Sequence, residues 1–509
     1  MTKLTSILRG RACQRAITAC CGAAFMLFGY DQGVMNTTDS GNGSSSLQGT
    51  VVAIYEIGCL FGSLFTFFAG ETLGRRRTIM LGCSVLMVGA ALQTSSYGIP
   101  QLIVGRIVTG LGNGINTSTV PVWHSETTAA HSRGRALAIE LAVNIFGLMC
   151  AYWFDYGFSF VKSQAQFRAP IAFQIVFAVA TIVIIQFCPE SPRWLLKHGR
   201  ENESRAVLEQ LSLHSGPSKH AVLDHEFSLI KYALQEEEAA TIKDKNGDPV
   251  SPIRACFTFG KERYFHRVML GVGGQFIQQL CGINLISYYA PVIFEQSVGM
   301  SHNLSLLLSG ANGVAYFLSS LIPIWLLDRV GRRPLMLFAA AGQCGCMAIL
   351  AGTTSVKAGA PGIVAAVMLF MFNFFFAVGL LAIPWLLPAE YAPLPIRAPA
   401  AALASMSNWC FTFVVVEITP ISISSIGWKT YVYFCVFNAC FVPIIYFFYP
   451  ETAQLTLEEI DLLFTGDKVL MHLPPHLREQ HEHVVDDTIY GVEDDNSSKD
   501  VHQQHETKV

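Results

Sequence analysis

Apolar residues fill the chain in long blocks separated by short polar turns. A helix needs about 20 apolar residues to cross a hydrocarbon core of roughly 30 Å. Runs of that kind lie at 15–36, 48–69, 78–97, 101–123, 136–156 and 170–188. A long charged stretch follows, and then six more runs at 268–294, 304–327, 334–353, 363–388, 399–420 and 428–449. The pattern predicts an all-α membrane protein of twelve transmembrane helices in two six-helix halves. It divides the chain into an N-terminus (1–14), a first half (15–188), a central loop (189–267), a second half (268–449) and a tail (450–509). No small-residue cleavage site follows the first run and Asp31 interrupts its far end, so it reads as a span and not as a cleaved signal peptide.

Basic residues orient the spans. Arg9, Arg11, Arg15, Arg75, Arg76, Arg77, Arg133, Arg135, Arg329, Arg332, Arg333 and Arg397 fall on one side, together with a central loop holding 12 of the 34 Lys and Arg. The opposite loops hold only Lys162, Arg168, Lys357 and Lys429. Positive charge stays inside, so both termini and the central loop are expected in the cytoplasm. Composition agrees: 51% of residues are hydrophobic, 14% are charged, and the net charge is only −3. That excludes a disordered chain and a nucleic-acid partner. No nucleophile–base constellation appears in the spans, so the protein is not expected to be an enzyme. The 14 Cys sit mostly within apolar runs and read as small hydrophobes. None falls in an outer loop and no metal-ligand spacing emerges, so no external disulfide, metal or cofactor is expected. His472, His476, His481 and His483 read as part of a solvated tail.

The two halves repeat their cytoplasmic punctuation. Gly74-Arg-Arg-Arg77 follows the second run and Gly331-Arg-Arg-Pro334 the eighth, 257 positions apart. Glu126 and Arg133 recur as Glu390 and Arg397 at an offset of 264, and Pro189-Glu190-Ser191 recurs as Pro450-Glu451-Thr452 at 261. Three signatures in one order at nearly one offset mark a tandem duplication, the architecture of transporters with a site between the halves. Acid and Arg recurring at these helix ends suit bidentate pairs that latch the halves across the cytoplasmic face. The other reading of the Arg clusters is topological.

These residues carry a resemblance. The chain resembles the sugar porter branch of the major facilitator superfamily, filamentous-fungal members above all, from about Phe28 to Phe464. The resemblance rests on Gly29-Tyr-Asp-Gln-Gly33, Gly105-Arg106-x-x-x-Gly110-x-Gly112-x-Gly114, Pro121-Val-Trp-x-x-Glu126 and Arg133-Gly134-Arg135. It continues through Pro189-Glu-Ser-Pro-Arg-Trp194, Gln278-Gln-x-x-Gly-x-Asn284, Tyr288-Tyr289, Asp328-Arg-x-Gly-Arg-Arg333, Pro384-Trp385, Glu390, Arg397 and Pro450-Glu-Thr452. It implies a sugar or polyol held near the membrane midplane by Gln278, Gln279, Asn284, Asn312, Trp385, Asn408 and Trp409. Amides match vicinal hydroxyls and indole faces cover sugar C–H surfaces. The alternative for the polar groups is helix–helix hydrogen bonding.

The resemblance further implies that Asp31 and Arg106 form an ion pair whose protonation is linked to sugar binding. A structural pair is the alternative. Arg75, Glu126, Arg133, Glu190, Arg193, Arg332, Glu390 and Arg397 would form the cytoplasmic gate. The function implied is secondary active transport by alternating access, as proton symport, in the plasma membrane, with sugar or polyol, protons and lipid as partners. A sugar sensor of the same fold and a proton-independent facilitator are the alternatives. Two features depart from the family. Leu141 stands where many members carry a sugar-contacting Gln, with Glu140 beside it. Beyond Asp31 the chain turns polar at Asn36-Thr-Thr, earlier than in the family, which predicts a polar tip to the first helix and a weak outer gate. Asn36 and Asn42 head glycosylation sequons there.

Overall fold

The computed structural model describes residues 8–34, 45–128, 133–212, 219–239, 250–260, 262–297, 299–356, 359–455, 457–465, 469–472 and 474. The polar stretch beyond Asp31, with Asn36 and Asn42, lies outside them, as do His476, His481 and His483. The first half contains α1 (Arg11–Gly33), α2 (Ser45–Leu73), α3 (Arg75–Thr94), α4 (Ile99–Thr127), α5 (Arg133–Phe158) and α6 (Ala165–Ile185). Next come α7 (Pro192–Lys197), α8 (Glu201–Leu211), α9 (Lys219–Ala239) and α10 (Pro252–Ala255). The second half contains α11 (Tyr264–Leu280), α12 (Ile283–Val292), α13 (His302–Ser320), α14 (Pro323–Val330), α15 (Arg332–Ser355), α16 (Gly359–Gly379), α17 (Ile383–Tyr391), α18 (Arg397–Ile426) and α19 (Lys429–Phe448). A last helix, α20 (Leu457–Thr465), follows.

Among the described residues, nine helical runs are long and apolar enough to cross a membrane, α16 and α17 counting together as Gly362–Tyr391. The pair α13–α14, bent by 42°, makes a tenth. The two other expected spans depart for physical reasons. The fourth, α4, has 29 residues but carries buried Arg106, Asn113, Asn116 and four Thr, which lowers its hydropathy. The seventh is broken into α11 and α12 at Gly282, whose φ of 100° only glycine adopts without strain. Large apolar side chains such as Phe68, Val183, Ile363 and Phe447 face outward, as lipid-facing positions require.

Close backbone approach sets the first half. A Cβ on Gly114 would lie 2.1 Å from the Cys59 carbonyl oxygen, so α4 meets α2 where no larger residue fits. The halves meet where α2 packs on α18 and α5 on α13. Peripheral helices divide between the halves. Gly10 N–H donates to Gln210 O (2.8 Å) and Gln210 Nε2 to Leu8 O (2.8 Å), pinning the N-terminal segment to α8. Leu208 of α8 packs with Phe227 and Leu234 of α9. On the other side, Ala255 and Cys256 pack against Val268, Ala392 and Ile396. The α20 helix buries Ile460, Leu463 and Phe464, and its Asp461 pairs with the buried Arg267 of α11.

Candidate substrate and coupling site

Two prolines explain how the buried amides of α11 are held. Pro384 and Pro388 lack the N–H groups that the carbonyls of Leu380 and Pro384 would accept in a regular helix. Gln278 Nε2 donates instead to Leu380 O (2.7 Å) and Leu381 O (3.0 Å). One turn earlier, Gln275 Nε2 donates to Pro384 O (3.0 Å). The amide chain then continues: Asn408 Nδ2 donates to Gln275 Oε1 (2.7 Å) and Gln278 Oε1 (3.0 Å), Gln279 Nε2 to Gln278 Oε1 (3.3 Å), and Asn284 Nδ2 to Gln279 Oε1 (2.5 Å). Five amides from α11, α12 and α18 thus form one buried network. Gln278 spends both donors and both lone pairs inside the protein, whereas Gln279 and Asn284 keep one N–H each beyond these bonds.

The remaining predicted contacts surround this network unevenly. Trp409 donates Nε1 to Ser63 Oγ of α2 (3.0 Å), and its ring meets Phe28 edge-on at 5.7 Å between centroids. Trp385 is half-buried beside the Pro384 carbonyl that Gln275 caps. Asn312 is buried on α13, with its Oδ1 unpaired. An unpaired buried acceptor is costly and marks a place where a donor is wanted.

The charged groups of the first half converge on α2. Arg106 Nη1 lies 3.2 Å from Asp31 Oδ2, both side chains being fully buried. Its Nη2 donates to Val52 O (3.2 Å), and the guanidinium stands 4.5 Å over the Tyr55 ring. Glu56, the next residue along, is also fully buried, and Tyr288 Oη of α12 donates to its Oε1 at 2.6 Å. Sequence reasoning missed Glu56 and Gln275. The signals were present: a lone acid inside an apolar run, and a Gln three positions before Gln278 on the same helix face.

Hydrogen bonds cross between the halves from near the middle to the end opposite the Arg signatures. They include, among the described residues, Trp409–Ser63, Tyr288–Glu56, Thr50 Oγ1 to Glu417 Oε1 (2.7 Å), and Tyr152 Oη to the Ser287 carbonyl. At the Arg end the pairs given by Arg75 and Arg332 form within each half, not across the face as the sequence suggested. Arg75 makes a bidentate pair with Glu126 (Nε–Oε2 and Nη2–Oε1, 3.1 Å each). Arg332 gives Nε and Nη2 to Glu390 Oε1 (3.2 and 3.0 Å), and Thr452 Oγ1 takes Oε2 (2.6 Å). Glu190 Oε1 accepts the Arg75 N–H (3.1 Å) and Glu451 Oε1 that of Arg332 (2.9 Å), so each acid caps the first turn of the next Arg helix. Short reach explains the pairing: each helix end lies beside the others of its own half. Burial pushes the Glu190 carboxyl above the usual carboxylate range, against the backbone N–H groups of Ser191, Arg76 and Arg75. Arg193 is half-buried on α7, and Arg397 donates Nε to Ala392 O (3.1 Å). The Arg133 side chain lies outside the described residues. His472 is exposed, as expected, and meets Arg333 Nη1 at 3.0 Å.

Two helical bundles with lipid-facing exteriors, joined along a buried seam by hydrogen bonds from Thr50, Tyr152, Tyr288 and Trp409, define the architecture of a membrane solute transporter. The chain matches the family described as Sugar (and other) transporter over residues 16–464. It is 37% identical to the MFS-type transporter oryC of Aspergillus oryzae over 89% of this chain and 86% of that protein. It is 34% identical to the Sugar transporter STL1 of Saccharomyces cerevisiae over 99% and 95% of the two chains. The proton:xylose symporter XylE of E. coli superposes with a TM-score of 0.73 at 23% identity, covering 89% of this chain and 99% of XylE. The chain belongs to the sugar porter family of the major facilitator superfamily.

Proposed function

We propose that this protein is a secondary active transporter that carries a monosaccharide or related polyol with protons by alternating access. The observation that carries the proposal is the buried Asp31–Arg106 pair standing one helix turn from Glu56, the acid through which α2 bonds Tyr288 of the opposite half. A carboxyl in that position takes a proton at the cost of its ion pair, which frees Arg106 and alters the surface facing the seam. The free N–H groups of Gln279 and Asn284, the unpaired Oδ1 of Asn312, and Trp385 and Trp409 support a polyhydroxylated substrate. Gln278 and Asn408 act as the frame of that site and reach substrate when the network opens.

In this reading the chain makes twelve spans, with α11–α12 as the seventh and α4 as the fourth. Both termini and the central loop are cytoplasmic, and the plasma membrane is the location. The two intra-half clusters around Arg75 and Arg332 give each half a stiff inner end, on which the gate residues Arg133, Glu190, Arg193 and Arg397 act.

The test is uptake in transporter-deficient yeast, with radiolabelled hexoses, pentoses, disaccharides and polyols, recording external pH. Saturable uptake with alkalinisation that Asp31→Asn abolishes supports the proposal and names the substrate. Uptake without a pH change, insensitive to Asp31→Asn, would make the protein a facilitator. No flux from correctly localised protein on the full panel would favour the sensor.

A further inference from the structure

Glu140, which departs from the family pattern beside the missing Gln, is not absorbed by the transport site. It faces His124 of α4, with His124 Nδ1 against Glu140 Oε1. Cys21 of α1 joins them: its Sγ, the imidazole nitrogen and a carboxylate oxygen lie within 4.8 Å of one another, and all three residues are buried. The other oxygen of Glu140 is buried and has no partner. Several neighbouring thiols are spent on backbone carbonyls, as Cys20 on Thr181 O and Cys188 on Ile184 O. Cys21 instead faces the pair. Close helix approach creates the juxtaposition: a Cβ on Gly147 of α5 would lie 2.2 Å from Met26 O of α1. That contact draws the two helices together beside the triad.

We infer that Cys21, His124 and Glu140 bind one divalent transition-metal cation of the zinc class. A thiolate, an imidazole and a carboxylate are the donors such a borderline cation takes, and three protein ligands leave a fourth position for water. Bond lengths of 2.0–2.3 Å to a tetrahedral ion put donors about 3.3–3.8 Å apart. The three donors already lie within 4.8 Å of one another, so the triad reaches that spacing when Cys21 closes on the pair and His124 and Glu140 part to admit the ion. The thiol proton leaves to solvent as the sulfur–metal bond forms, so binding releases protons and involves no oxidation. The donors come from three helices, which is why no spacing in the sequence revealed them. All three helices belong to one half, so the ion ties α1 to α4 and α5 without bridging the moving seam.

Titrating the purified full-length protein in detergent with Co2+ tests this. The expected result is one equivalent bound, with a thiolate-to-cobalt band in the near ultraviolet that Zn2+ abolishes. Cys21→Ser removes the band, and Glu140→Gln weakens binding at least about tenfold, since even outer partners of a metal site cost that much. The inference is overturned if the wild type shows no band, if the band persists in Cys21→Ser, or if metal is bound only adventitiously, beyond one equivalent and without saturation. Should the variants fail to fold, X-ray absorption of the zinc-loaded wild type decides. One sulfur among nitrogen and oxygen neighbours supports the site, and a shell without sulfur refutes it.

Discussion

Tyr288→Phe removes one oxygen from the seam and should tilt the balance between closed and open forms. Tyr288 Oη donates to Glu56 Oε1 at 2.6 Å, both residues are buried, and Glu56 Oε2 has no other partner. Removing the hydroxyl leaves a buried acceptor unsatisfied, which costs about 1–3 kcal/mol. The bond joins α12 to α2, so it exists only while the two halves are together at this end. Its loss therefore lowers the closed population relative to the open one by about 5- to 150-fold, at 1.4 kcal/mol per factor of ten. Tyr289→Phe is the matched control. Its hydroxyl donates to Val416 O at 3.0 Å, but both residues lie in the second half, so both conformers lose the bond alike. Hydrogen–deuterium exchange in lipid nanodiscs reads the difference. Peptides from residues 45–63 of α2, from α12 and from residues 409–420 of α18 should exchange faster in Tyr288→Phe, on both sides of the seam. In Tyr289→Phe any increase should stay local to α12 and α18. If Tyr289→Phe opens α2 as much as Tyr288→Phe does, or if Tyr288→Phe exchanges as the wild type, the seam bond does not govern closure.

Three further outcomes are expected. Asn408→Ala deletes both bonds that tie α18 to Gln275 and Gln278, worth about 1–3 kcal/mol together, so the KM for uptake should rise roughly 5- to 150-fold; an unchanged KM would remove the amide network from the substrate site. Glu126→Gln and Glu390→Gln each weaken a charge-assisted pair by about 1.5–3 kcal/mol, and both should lower the thermal unfolding temperature in detergent, by comparable amounts if the duplicated clusters are mechanical equivalents. Glu190 holds its proton more tightly folded than unfolded, so its contribution to stability is full below the ordinary carboxylate range and falls as pH rises through its elevated folded value. Glu190→Gln should flatten that decline in thermal scans across the acid range, whereas a slope identical to wild type would mean the carboxyl is charged in the fold.

The span pattern was legible because bilayer thickness imposes one length on every crossing helix, and among the described residues ten of the expected runs are helices long and apolar enough to cross, one of them a bent pair. The fourth was harder to rank by hydropathy because α4 turns Arg106 and its amides toward its neighbours, and burial is invisible in an average. The break at Gly282 was written in the residue itself, since a glycine between Cys281 and Ile283 is the cheap place to reach positive φ. Partner choice was not legible. The acids and Arg of the two halves recur at matched offsets, which says that they pair but not with which copy. Nor could a linear pattern show that Gln275 and Gln278 answer the prolines 384 and 388, a match that exists only once α11 lies against α17.

The helices outside the bundle have a consequence for how the chain could be assembled. The N-terminal segment, α8 and α9 hold to one another on the first half, while α10 and α20 pack on the second. Every pairing described for these peripheral helices therefore stays on one side of a cut placed between Ala239 and Val250. Two separately translated polypeptides, ending and beginning there, would each carry a full set of local supports. They would find one another through the faces of the bundles, chiefly α2 on α18 and α5 on α13. Covalent continuity across that point then supplies proximity and stoichiometry, while recognition between the halves resides in the membrane.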